Sequence, residues 1–126
     1  MNIKTKRIYE PVSKDDGKRI LVDRLWPRGL SKDEVMVDLW LKQIAPSSEL
    51  RKWFNHQIER FEEFRKAYTD EIFSDVVKQG TFQMLKTLAN QETITLLYAA
   101  KDETHNQAKV LFDLLTKIEI NTSNEK

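Results

Sequence analysis

The sequence predicts a single α/β domain in which helices cover a mainly parallel sheet. Three observations carry that prediction. Thr93 to Leu115 reads in succession as a buried strand, a polar turn and a capped helix. Arg19 to Leu25 holds a second apolar run, Ile20-Leu21-Val22, that ends in a rigid turn. Between them, Phe61, Phe64, Tyr68 and Ile72 recur at helical spacing, the mark of an amphipathic helix.

In the first of these segments, Ile94 to Ala100 runs apolar with little alternation, as expected of a strand buried on both faces. Thr104 to Gln107 matches a capping box, with Thr104 as the N-cap. Ala108, Leu111 and Leu115 follow at helical spacing. On this reading His105 and Asn106 lie in the first helical turn, where unpaired N–H groups favour an anion. Ligands of open α/β sheets bind at the carboxyl ends of the strands, which makes this turn a candidate site. Every strand-to-helix unit also needs a polar, capped turn, so the cap alone does not define a site.

With 126 residues, the chain suits one domain with one sizeable core. The expected core runs from about residue 5 to 118, followed by a polar tail, 119–126. Lys and Arg number 21 against 20 Asp and Glu, a net charge of +1, which argues against a general nucleic-acid binder or an anionic-membrane binder. Zero cysteines exclude disulfides and a thiolate nucleophile, and two histidines, His56 and His105, argue against a metal centre. No cofactor is expected. The basic start lacks the apolar stretch of a leader and no run is long enough to span a bilayer, so the expected location is the cytoplasm.

In chain order, Lys6 to Tyr9 is a short β-prone segment and Ser13 to Gly17 a turn. Arg19 to Leu25 is a strand, closed by Trp26-Pro27-Arg28-Gly29. Ser31 to Glu34 is a capping box that opens a short helix. Val37 to Ile44 alternates as a strand would, although its spacing also fits a helix. Ser47 or Ser48 caps a helix through Phe54, and Asn55 to Gln57 breaks it. A helix then runs from about Ile58 to Phe73. Gly80-Thr81 punctuates, and Phe82, Leu85 and Leu88 mark another helix ending near Asn90. Asn121 to Lys126 is polar and expected to fray. The strands Ile20–Asp23 and Ile94–Tyr98 are expected to be parallel neighbours or near-neighbours. Trp40, Trp53, Phe61, Phe64 and Leu111 are the expected buried side chains.

The residues able to carry chemistry fall in three groups. Arg24, Trp26 and Arg28 follow a buried strand, and arginine offers forked donors to carboxylate or phosphate. Equally, Arg24 can pair with Asp23 while Trp26 fills the core. Tyr98, Lys101, His105 and Asn106 surround the second turn, where Asp102 and Glu103 are possible acid/base partners of His105. Asp102 has a structural role open to it as well, bracing the turn through its own backbone. Lys42, Ser47, Arg51, Trp53 and His56 form the third group, although a lone histidine after an aromatic pair is more often a packing residue. Glycine phosphate loops, nucleophilic serine motifs and dinucleotide fingerprints are absent.

RIYEP (Arg7 to Pro11), LVDRLWPRGLSK (Leu21 to Lys32), the Asp38 to Phe54 stretch and LLYAAKDETHNQA (Leu96 to Ala108) together resemble the YeaO-like branch of the domain of unknown function four-eight-eight family. The resemblance runs from Arg7 to about Leu115. It implies a three-layer α/β domain of the bacterial cytoplasm, in a family whose biochemical role is not established. A related branch carries a cysteine in the strand-to-helix turn and Cys-His-Arg near the helix start. Here the turn reads Tyr98-Ala99-Ala100-Lys101, followed by Thr104-His105-Asn106. The thiolate chemistry is therefore lost, and the resemblance carries over only the geometry of an anion cradle.

Three functions follow as alternatives. The first is a binding module for a small anion, phosphate- or carboxylate-bearing, with Arg24, Trp26, Arg28, Tyr98, Lys101, His105 and Asn106 converging on one pocket. Such cations repel one another unless something negative sits between them, either a ligand or a carboxylate such as Asp23, Asp102 or Glu10. The second is an enzyme with His105 or Asp102 as acid/base. The third is an interaction domain with no small ligand. The residues favour the first.

Overall fold

The structure, a computed structural model, describes residues 1–124, with side chains as far as Lys117. Four strands form one sheet: β1 (Ile3–Arg7), β2 (Lys18–Leu21), β3 (Leu39–Trp40) and β4 (Ile94–Tyr98). Their spatial order is β1-β4-β2-β3 and every pairing is parallel. Helices α1 (Lys32–Val35), α2 (Ser48–Phe54), α3 (Phe61–Ser74), α4 (Val76–Gln91) and α5 (Gln107–Asn124) complete a three-layer α/β domain. None of the helices is long and apolar enough to cross a membrane, among the described residues.

The two apolar runs become adjacent parallel strands as expected, with Ile20 opposite Leu96 and Leu21 opposite Leu97. Successive strand side chains point to opposite faces. Ile20, Val22, Leu96 and Tyr98 thus meet α2–α5, in a core with Phe64, Tyr68, Phe82, Leu85 and Leu111. Leu21 and Leu97 face the other way, where Ile8 and Val35 bury with them and Trp26 and Trp40 pack alongside. Two-sided burial is why neither run alternates. At the start of β2, Gly17 has φ +62, and a Cβ there would lie 2.2 Å from the carbonyl oxygen of Thr93.

The helix signals hold at Ser31 and Ser47, whose hydroxyls accept from the Glu34 and Leu50 amides. Asn55 and His56 break the chain after α2 with positive φ. Several boundaries differ from expectation. β1 lies at Ile3–Arg7, earlier than Lys6 to Tyr9, because it pairs with β4 from Ile94 onward. Of Val37 to Ile44, only Leu39 and Trp40 pair as strand, since β2 offers partners only at Ile20 and Leu21; a 3-10 turn, Lys42–Ile44, follows. α4 runs straight through Gly80, starting from an Asp75 cap that accepts the Lys78 amide. α5 continues to Asn124, through the first residues of the segment expected to fray; residues 125–126 lie outside the described residues.

The core expectation holds for Phe61, Phe64 and Leu111, whereas Trp40 is only half-buried and Trp53 is 40% exposed. Phe54 and Leu50, four residues apart, fill the inner side of α2. Trp53 instead lies beneath the Arg60 guanidinium, 5.4 Å from its ring centre.

Candidate functional site

Parallel pairing gathers the ends of β1, β2, β3 and β4 at one edge. Asp23, two residues beyond β2, is the hub of that edge. Its carboxylate accepts the Ala99 amide at 2.9 Å and the Gln107 side-chain amide. Its carbonyl accepts Trp40 Nε1–H at 2.8 Å. One residue therefore ties the end of β4, the first residue of α5 and the end of β3. Asp23 as a whole is part-buried, but the carboxyl turns inward onto these partners. Desolvation outweighs the two hydrogen bonds and pushes the group up to about 6. Arg7 closes the neighbouring turn, donating to the Ala100 and Ala99 carbonyls at 2.9 and 3.2 Å. Sequence reasoning passed over both roles; the signal for Asp23 was an acid directly after a doubly buried strand.

The turn after β4 is built on Asp102, which does brace its own backbone. One carboxylate oxygen accepts the Thr104 and His105 amides, each at 2.9 Å, and the group also meets His105 Nδ1 at 2.9 Å. The Thr104 amide bond first, then those from His105, holds Asp102 down at about 2. The ring of His105 stands edge-on to Phe61, centres 5.1 Å apart. The cap of α5 is Asn106 rather than Thr104. Its Oδ1 accepts the Lys109 amide at 2.9 Å, and its Nδ2 donates to the Asp102 carbonyl at 2.8 Å. Asn106 is 2% exposed with both ends of its amide engaged. Thus α5 starts at Gln107, and His105 and Asn106 precede its first turn. Tyr98 is 2% exposed and belongs to the helix-side core; burial first, then Glu103 and Glu10, raises its hydroxyl above the ordinary value.

Of the remaining candidates, Lys101 belongs to that turn, whereas Arg24, Trp26 and Arg28 come from the loop after β2. Trp26 donates to the Leu30 carbonyl at 2.7 Å and meets Trp40 edge-on at 5.4 Å. Arg28 is exposed, and its carbonyl accepts the Tyr9 hydroxyl at 3.0 Å. Lys101 is exposed. No hydrogen bond or ion pair joins Arg24, Arg28 or Lys101 to the Asp102–His105 pair, among the described residues. Arg24 turns toward β3. With Lys42, Gln43, Ser47, Ser48 and Lys78 it lines an open cavity of about 500 Å³. Lys42 and Ser47 belong to the third group singled out in the sequence, while Arg51, Trp53 and His56 do not line the cavity. Lys78 escaped notice because α4 was expected to begin only after Gly80. The cap signal at Asp75 points to it.

Fold and edge together define a small parallel α/β domain that carries a cationic cavity at the strand ends and a cysteine-free turn after its last strand. The chain belongs to the family described as the inactive DUF488-N3 subclade, whose model matches residues 2–126. It is 44% identical over 118 residues to the uncharacterized protein YeaO of Escherichia coli K12, covering 94% of this chain and 100% of that one. It is 39% identical over 113 residues to the uncharacterized proteins Rv3073c of Mycobacterium tuberculosis H37Rv and Mb3100c of Mycobacterium bovis, covering 90% of this chain and 92% of each. No solved structure matches it.

Proposed function

We propose that this protein is a binding module for a small anion, held at the carboxyl edge of the sheet on Arg24. The observation that carries the reading is the cavity in which Arg24, Lys42 and Lys78 face one space. None of the three makes an ion pair among the described residues; Lys42 lies over the Trp40 ring, 5.1 Å from its centre. Like charges held together without a partner favour an anion between them. The description of the subclade as inactive accords with binding without turnover. Arg28 and Lys101 stand on the two neighbouring turns and extend the positive field of the same edge. We also propose a location in the bacterial cytoplasm, which the family resemblance supports and cell fractionation tests.

Titration with phosphate and sulfate, followed by amide chemical shifts, tests the reading. Shifts are expected around Arg24, and Arg24→Ala should weaken binding by about 1–3 kcal/mol, the range of charge-assisted hydrogen bonds. Absence of any shift at millimolar anion would overturn it. A second reading rests on the contact between Asp102 and His105 Nδ1, which orients the imidazole as a general base is oriented. It predicts turnover of an anionic substrate that His105→Ala abolishes while binding remains.

A further inference from the structure

We infer that the ligand of this cavity is a polyanion, a small molecule with two or more neighbouring phosphoryl or carboxylate groups. The inference rests on the anion-binding reading above and adds the ligand's charge and reach. Three separate elements supply the cations. Arg24 comes from the loop after β2, Lys42 from the 3-10 turn after β3 and Lys78 from the first turn of α4. The fork of arginine grips one anionic group through two N–H donors, whereas each lysine is a point charge that reaches another. A single phosphate bound on Arg24 leaves the two ammonium groups repelling each other across the rest of the cavity. Its volume of about 500 Å³ lies in the range of small-molecule sites.

The nearby carboxylates form no ion pair with these cations among the described residues, and each is hydrogen-bonded to other groups. Asp23 is bound by Ala99 and Gln107. One oxygen of Asp75 accepts the amide of Lys78 at 2.9 Å, capping α4. Glu71 accepts both the amide and the hydroxyl of Ser47. That contact sets one negative charge beside the wall and removes the Ser47 hydroxyl from the list of donors. Three cations on three separate elements give two neighbouring anionic groups separate donors, which a ligand with one such group cannot use. Ser48 and Gln43 complete the lining with neutral polar side chains.

The experiment compares pyrophosphate and citrate with orthophosphate and acetate at matched ionic strength, by calorimetry with amide-shift mapping, on wild type, Lys42→Gln and Lys78→Gln. Pyrophosphate or citrate should bind at least ~10-fold more tightly than orthophosphate or acetate, and each lysine variant should lose about tenfold for the polyanion, one charge-assisted contact. The affinity for orthophosphate and acetate, which carry one anionic group each, should change less. Pyrophosphate binding alone identifies a phosphoryl ligand, and citrate binding alone a polycarboxylate; either supports the inference. Equal affinity for all four probes overturns the polyanion and leaves anion binding intact. Failure of every probe to bind overturns both. Tight polyanion binding that neither lysine variant weakens places the ligand elsewhere and also overturns the inference.

Discussion

Asp23→Asn tests the hub of the edge by reversing the usual expectation for a hydrogen-bonded carboxylate. An ordinary aspartate titrates near 4, whereas burial holds Asp23 up at about 6. Between those values the folded protein keeps the proton that the unfolded chain has released. The unfolded state then binds fewer protons, so stability falls as pH rises from about 4 to about 6 and is level above that. At about 1.4 kcal/mol per pH unit, the loss is on the order of 3 kcal/mol. Asparagine imitates the protonated form. Its oxygen accepts the Ala99 amide, and its NH₂ donates to Gln107 once that side chain turns its oxygen inward. Urea unfolding of both proteins at pH 4, 5, 6 and 7 gives the comparison. The variant should match wild type at pH 4 and gain on it by up to about 3 kcal/mol by pH 7. Parallel curves, or a wild type that gains on the variant as pH rises, would refute the burial argument.

Phe64→Ala removes a ring that is 2% exposed and stacked on Phe54 at 4.4 Å, and should cost about 3–5 kcal/mol in thermal or urea unfolding. An unchanged midpoint would mean that α3 presents another face. Gly80→Ala meets open space inside α4 and should stabilise by about 0.5–1 kcal/mol, a rise of roughly 2–4 °C by calorimetry. Gly17→Ala should do the opposite: at φ +62, with Thr93 backbone in the way, a loss above ~1 kcal/mol is expected in the same scan. A neutral Gly17→Ala would contradict the close approach of β2 to the residue before β4.

The fold was legible where one physical cause dominated. β2 and β4 are buried on both faces, and their unbroken apolar runs record that directly. The period of Phe61, Phe64, Tyr68 and Ile72 records a single buried side of α3. Legibility failed where two weak signals competed. Gly80 reads as a breaker, yet an exposed helical glycine costs only about 1 kcal/mol. Burial of Phe82, Leu85 and Ala89 on the same helix outweighs that. Val37 to Ile44 alternates, but strand length also depends on the partner, and β2 supplies only two paired residues to β3. No pattern inside the segment itself carries that limit.

The site was half legible for a related reason. Arg24 was identifiable as a strand-end cation, and the adjacency of β2 and β4 was correctly expected. From adjacency alone, Arg24 and His105 look like natural partners. The sheet order gives the end of β2 two neighbours, however, with β4 on one side and β3 on the other. Asp23 occupies the β4 side through Ala99 and Gln107, while Arg24, one residue on, lines the cavity with Lys42 beyond β3. Arg24 stands in the bend that follows Asp23, so it is not bound to the side that Asp23 takes. The side itself was set by desolvation. A carboxylate two residues past a fully buried strand needs donors close at hand, and the turn after β4 offers a free amide at Ala99. An arginine on its long stem reaches water from either side. The residue with the stricter requirement fixed the geometry, and the cavity lies where the other one was left to turn.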